Sequence, residues 1–235
     1  QIAGYIADMV HDGDCIQLGF GGIPNAIGFE LMNRHDLGIH TEQIGASMAH
    51  MIQNGVVTNR YKNLDKGWSV GAFIIADNFT YNYVNNHPRI MMRRGRYTND
   101  PMIIAQQDNM VSINAALQID LTGQVNAETV GPRPYSGTGG ATDYAYGAYH
   151  SRGGRAMLCQ ISTAKKGTVS RIAPILDPGS IVSVSRNLTD MVITEYGVAK
   201  LRQRTVKQRV ENLIAVAHPD FRAELRKEAN KYMYF

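Results

Sequence analysis

The sequence predicts an α/β protein built on an open mixed sheet flanked by helices. Three observations predict it. The first third alternates short apolar runs with amphipathic runs, the rhythm of a parallel sheet with crossover helices. Glycine, proline and asparagine punctuate the junctions between these runs. From Met110 onward the pattern changes to short strands joined by Gly, Pro and Asn turns, and two amphipathic segments close the chain. At 235 residues the chain is long enough to bury a substantial core without a disulfide or metal staple.

Taken in order, a helix is expected over 2–10, a strand over 14–18, then the glycine loop Gly19-Phe20-Gly21-Gly22-Ile23-Pro24. A helix follows over 24–33, with Pro24 in its first turn, where a missing N–H costs nothing. A strand over 37–41 and a helix over 45–53 repeat the unit. The run 70–76 reads as a strand, Asp77 as the N-cap of a helix through Asn85, and 89–93 as another strand. Asp100-Pro101 opens a short helix. Strands are expected over 111–119, 157–162, 171–176, 181–185 and 191–194, and helices over 207–217 and 219–231. The glycine-rich stretch 131–154 is too long for a turn and reads as a functional loop around Ser136-Gly137-Thr138-Gly139-Gly140.

Composition narrows the function classes. The net charge of +4 and pI near 9.0 permit an anionic ligand, but the cations are scattered, which argues against a nucleic-acid interface. No apolar run approaches the roughly 20 residues that span a bilayer. Cys15 and Cys159 lie far apart in apolar runs, as buried thiols of a reducing compartment do, with no metal-ligand cluster near them. A soluble, cytoplasmic protein is expected. The chain opens on Gln1 inside a predicted helix, with no signal-peptide pattern, so it reads as the carboxyl-terminal part of something longer.

Two features carry chemistry. The glycine loop, set between a strand and a helix, offers backbone N–H groups to a phosphate, carboxylate or oxyanion; the bland reading is a tight turn needing positive φ. Glu42 ends the next strand, and loops at strand carboxyl ends form the ligand crevice of an open α/β sheet. A dinucleotide fingerprint is a competing reading, since Glu42 falls about 20 residues downstream of the loop, although Pro24 stands where that pattern needs its last glycine. Asp143 after the second glycine loop and Glu195 at another strand end keep Glu42 company. His40 shares a strand face with Glu42 and reads as a satisfied polar residue before it reads as a base. Arg93, Arg94, Arg96, Lys165 and Lys166 are candidate phosphate contacts, or a solvated edge.

Five motifs in order resemble the acetyl-CoA hydrolase/transferase family: Gln17 to Ala26, Leu37 to Glu42, Ser136 to Gly140 with Asp143, Ser162-Thr163-Ala164-Lys165, and Thr194 to Ala199. Within that family the motifs resemble those of the 4-hydroxybutyrate and butyrate CoA-transferases. The resemblance covers the chain from its first residues to its last helix and corresponds to the carboxyl-terminal domain of proteins about twice as long. It implies that residues 1–235 form a catalytic CoA-transferase domain whose amino-terminal companion lies outside this chain. Glu42 then matches the nucleophilic glutamate, which becomes a glutamyl-CoA thioester. Gly19, Phe20, Gly21, Gly22 and Ile23 match the first CoA-binding loop, with the amide near Ile23 serving the oxyanion. Leu117, Gly140 and Lys165 match CoA-contacting positions, Asn99 matches an asparagine beside the reacting carboxylate, and Glu195 lies in a family motif.

The resemblance further implies coenzyme A and acyl-CoA as substrates, a short-chain carboxylate such as acetate, butyrate or 4-hydroxybutyrate as partner, no permanent cofactor or metal, and a homodimer. The chain departs from the family at Gly45-Ala46-Ser47, where a Ser-Asp-Gly-like step is usual, and at Phe20 and Ala141, positions that bear on the acyl pocket. An acyl-CoA hydrolase, and a dinucleotide- or CoA-binding module without chemistry, remain open alternatives.

Overall fold

The computed structural model describes residues 1–232. Its centre is a six-stranded sheet of β1 (Cys15–Leu18), β2 (Gly38–Ile39), β3 (Met110–Ala115), β4 (Arg155–Cys159), β5 (Met191–Thr194) and β6 (Gly197–Lys200). The spatial order is β2-β1-β3-β4-β5-β6. The first five strands run parallel and β6 turns back antiparallel on β5, which makes the sheet mixed, as expected.

Alternate residues of each strand feed two separate cores, because side chains of a strand point to opposite faces in turn. Cys15, Met110, Leu158 and Val192 belong to the core under helices Ala141–His150, Val206–Val216 and Pro219–Lys231. Ile16, Val111, Met157 and Ile193 belong to the core under helices Ile2–Ala7, Gly22–Glu30 and Ala46–Gln53. With both faces covered, β1 and β5 are buried at every position, and their polar side chains, Gln17 and Thr194, are hydrogen-bonded in the interior. Cys15 and Cys159 are buried free thiols, and burial pushes their pKa values up to about 11 and about 12. Among the described residues no helix is long and apolar enough to cross a membrane.

Several elements differ from expectation. The run 70–76 breaks into Ser69–Gly71 and Phe73–Ile74, because the carbonyl of Glu42 accepts from the amides of both Ala72 and Phe73 and bends the chain between them. The run 111–119 stops at Ala115 and restarts as Gln118–Asp120. The run 171–176 shortens to Ile172–Ala173, with Pro174 next. The run 181–185 is not a strand; Val184 makes one isolated bridge to Val125. The helix expected over 2–10 ends at Ala7. Half of the expected loop 131–154 is the helix Ala141–His150, and β6 arises where no strand was expected.

Candidate functional site

The order of the sheet fixes where a ligand belongs. β1 has β2 on one side and β3 on the other, so the chain reverses its direction of winding there. Open α/β sheets bind ligands beyond the strand ends at this switch point. Two buried amides lock the ends of β1 and β3 together: Gln17 Nε2 donates to Asn114 Oδ1 at 2.9 Å, and Asn114 Nδ2 donates to Gln17 Oε1 at 3.0 Å. Asn114 then dictates Gly19, since a Cβ at that position would come within 3.3 Å of the Asn114 Cα and closer still to its side chain. Gly21, with φ of 129°, holds a conformation that only glycine adopts readily. The helix starts at Gly22, two residues earlier than expected, so the amides of Gly22 and Ile23 lie in its first turn, where helix N–H groups have no intrahelical acceptor.

The expected strand 37–41 shortens to β2, and Glu42 lies three residues beyond it, in the bend before the short strand Gln43–Ile44. The Asn25 Oδ1 accepts from the Ser47 amide at 3.1 Å and ties the glycine-loop helix to the helix that follows Glu42. Across the cleft stands Gly140, the N-cap of helix Ala141–His150. A Cβ on Gly140 would lie 2.7 Å from Glu42 Oε2 and 2.5 Å from Asn99 Nδ2, so carboxylate, carboxamide and glycine backbone converge on one point. Asn99 closes the short helix Gly95–Thr98, and its Oδ1 accepts from the Thr98 hydroxyl at 2.8 Å. With Oδ1 so engaged, Nδ2 faces the carboxylate side. The Asp143 carboxyl is raised above the usual carboxylate range, chiefly by burial; a hydrogen bond from Asn99 opposes the shift, and the Asp100 charge adds to it.

His40 is fully buried, two residues before Glu42. Its Nε2 lies 3.1 Å from the Thr98 carbonyl, which can only accept, so Nε2 carries the proton; the buried Nδ1 has no hydrogen-bond partner among the described residues. Burial, with the charge of Lys62 nearby, lowers its pKa to about 4. The minority reading of His40 as a base therefore has no support in the geometry: the ring packs against Tyr97 and Tyr144 in the interior. Tyr144 donates its hydroxyl to the same Thr98 carbonyl at 2.7 Å.

The cleft at this point encloses about 730 Å³. Gly19, Phe20, Glu42, Leu117 and Gly140 all line it, so residues far apart in the sequence meet there. A second cleft of about 420 Å³ adjoins it, sharing Gly19, Phe20 and Ile75 and adding Gly21 and Gly22. Phe20 is 69% exposed between the two. Three expected site residues, Ile23, Lys165 and Asn99, line neither cleft; Asn99 reaches Glu42 only at the point beside Gly140. Ile23 packs its side chain against the core beneath the glycine-loop helix, which leaves only its amide for a ligand. Lys165 sits at φ of 48° in a turn beyond β4 and lines neither cleft. Glu195 also lies outside both clefts; its carboxylate accepts from the Ser162 amide at 2.9 Å and hydroxyl at 2.6 Å, fastening the turn after β4. Arg93 pairs with Asp65 at 3.5 Å and lies over the Tyr97 ring.

The sequence reading missed Thr98, which bonds to His40 58 residues away and to Asn99, and Tyr144, which bonds to the Thr98 carbonyl across 46 residues. Tyr135, 75% exposed on the wall of the larger cleft, was passed over as part of a loop.

Residues 77–229 match the sequence pattern of the acetyl-CoA hydrolase/transferase C-terminal domain, a span that includes Asn99, Leu117, Gly140 and Lys165 and begins after Glu42. The succinyl-CoA:cyclohexane-1-carboxylate CoA transferase of Geobacter metallireducens is 46% identical over 98% of the chain and 53% of that protein. The 4-hydroxybutyrate coenzyme A transferase of Clostridium kluyveri is 44% identical over 96% of the chain and 52% of that protein. The crystal structure of RipA from Yersinia pestis superposes with a TM-score of 0.96 at 46% identity, over 100% of this chain and 53% of that one. The chain thus spans about half the length of the relatives it matches.

Proposed function

This chain belongs to the acetyl-CoA hydrolase/transferase family, and on that premise we propose that it is the carboxyl-terminal catalytic half of a CoA-transferase. The enzyme moves CoA between a short-chain acyl-CoA and a carboxylic acid of the acetate, butyrate or 4-hydroxybutyrate class. The observation that carries this reading is the convergence of Glu42, Asn99 and Gly140 on one point of a cleft at the sheet's switch point.

The chemistry follows from those groups. The Glu42 carboxylate attacks the thioester carbonyl; the C–S bond breaks, leaving a mixed anhydride on Glu42 and CoA thiolate. The thiolate attacks the glutamyl carbonyl, releasing the first acid and leaving a glutamyl-CoA thioester. A second carboxylate attacks that thioester, and the same steps in reverse return acyl-CoA and free Glu42. Each tetrahedral state places charge on an oxygen, which in this reading the amides of Gly22 and Ile23, in the first turn of their helix, and the Asn99 amide stabilise. One such donor is worth on the order of 10²-fold in rate. CoA lies between the glycine loop and Leu117, which line one cleft, and the full-length protein carries an amino-terminal domain and forms a homodimer.

Full-length protein given acyl-CoA without acceptor acid should accumulate CoA on Glu42, detected by intact mass and mapped after borohydride reduction. Isotope label should then exchange between free acid and acyl-CoA with ping-pong kinetics. Equal consumption of acyl-CoA with and without acceptor acid, with no exchange of label, would instead identify a hydrolase.

A further inference from the structure

One carbonyl oxygen joins the three segments that carry the site. Thr98 ends a short helix, so its carbonyl has no partner within that helix. It accepts instead from His40, two residues before Glu42, and from Tyr144, four residues after Gly140, at 3.1 and 2.7 Å. The Thr98 hydroxyl meanwhile holds Asn99 Oδ1. The His40, Thr98 and Tyr144 side chains are fully buried, so a bond lost among them is not replaced by solvent. Reversing the Asn99 amide would aim its oxygen at the carboxylates of Glu42 and Asp143; the Asp143 carboxyl, which accepts from the amide, and the Thr98 hydroxyl, which donates to Oδ1, both oppose that reversal.

We propose that His40, Thr98 and Tyr144 are positioning residues: they fix the separation of the Glu42, Gly140 and Asn99 segments and hold the Asn99 amide with Nδ2 toward the reacting carboxylate. None of the three lines the clefts, so each acts through Asn99 and the backbone. His40 serves as a neutral donor through Nε2 and takes no part in proton transfer. The kinetic part of this inference rests on the transferase reading above; the geometric part does not.

The test uses full-length protein and two shape-conserving variants, Tyr144→Phe and Thr98→Val. Each should lower kcat about tenfold while KM for acyl-CoA stays within twofold, because the substrate contacts remain and only the alignment is lost. Thr98→Val in an Asn99→Ala background should add no further loss. A purely structural role would instead produce the same loss in both backgrounds, in step with the loss of folded protein. Crystal structures of the two variants give a readout independent of turnover, and the Asn99 amide should rotate or shift away from Glu42. An unmoved Asn99, or kcat within twofold of wild type in both variants, overturns the proposal. Wild-type protein that turns over no acyl-CoA overturns the transferase reading, while the Asn99 position still decides the positioning claim.

Discussion

Glu42 and Gly140 face each other so closely that a single added methyl carbon on Gly140 would sit 2.7 Å from the Glu42 Oε2. The backbone at Gly140 is not the reason for glycine there: φ of −98° is open to any residue. What excludes a side chain is the carboxylate, together with the Asn99 amide 2.5 Å from the same point.

Gly140→Ala should therefore damage chemistry far more than folding. The methyl group must push Glu42 or Asn99 aside by some tenths of an ångström, and misplacement on that scale costs about 10- to 100-fold in turnover. As an N-cap substitution it should change stability by about 1 kcal/mol or less. Steady-state rates and thermal unfolding of the same preparation check this, and near-wild-type kcat would remove Gly140 from the site.

Glu42→Gln keeps the shape and removes the proposed nucleophile. CoA affinity by calorimetric titration should stay within about threefold, whereas turnover should fall by at least about 10³-fold, the scale seen when an enzyme loses its nucleophile. Intact mass must exclude deamidation back to Glu. Residual turnover in verified Gln protein would point to another group as the nucleophile.

The parts of the site legible in the sequence are those whose signal is local. The loop from Gly19 to Ile23 announces itself by glycine between a strand and a helix, and Glu42 by its place at the next strand end. The sheet order was not legible, because the Gln17–Asn114 amide pair joins residues 97 apart. The helix Ala141–His150 was obscured by its setting among glycines. One of them, Gly147, is there for close packing: a Cβ would stand 2.5 Å from Ile104 Cβ. Pro24 marks a helix start in the sequence and leaves Ile23 in the loop, whereas the helix begins at Gly22 and the Ile23 side chain turns inward. The Thr98 carbonyl is invisible in any sequence pattern, since what matters there is backbone and its partners come from β2's end and a distant helix.

Gly28 reverses the usual effect of glycine in a helix. In an exposed helix interior, Gly→Ala gains about 1 kcal/mol. Here a Cβ would stand 2.6 Å from Ser47 Cβ and 3.0 Å from Leu18 Cδ1, where helix Gly22–Glu30 crosses helix Ala46–Gln53 over β1. Overpacking at such a contact costs about 1–3 kcal/mol, so Gly28→Ala should be net destabilising by up to about 2 kcal/mol. Urea unfolding measures the sign directly, and a stabilised Gly28→Ala protein would show that the two helices separate at little cost.

His40 predicts an acid limb in the stability curve. Its pKa falls from 6.5 unfolded to about 4 folded, through burial first and the Lys62 charge second, with the Thr98 hydrogen bond and the Asp65 charge opposing. The folded protein therefore binds fewer protons than the unfolded chain between these values. The stability that this group contributes is fully present above about pH 6.5, declines as pH falls, and is gone below about pH 4. The loss is about 3 kcal/mol, at about 1.4 kcal/mol per tenfold change in proton affinity. Above pH 7 the curve should owe nothing to His40. His40→Gln shifts the whole curve by losing the bond to Thr98, a constant at every pH, and should flatten the slope between pH 6.5 and 4. Unfolding free energies measured for both proteins across that window check the prediction; parallel curves would mean that His40 binds its proton equally well in the folded and unfolded states.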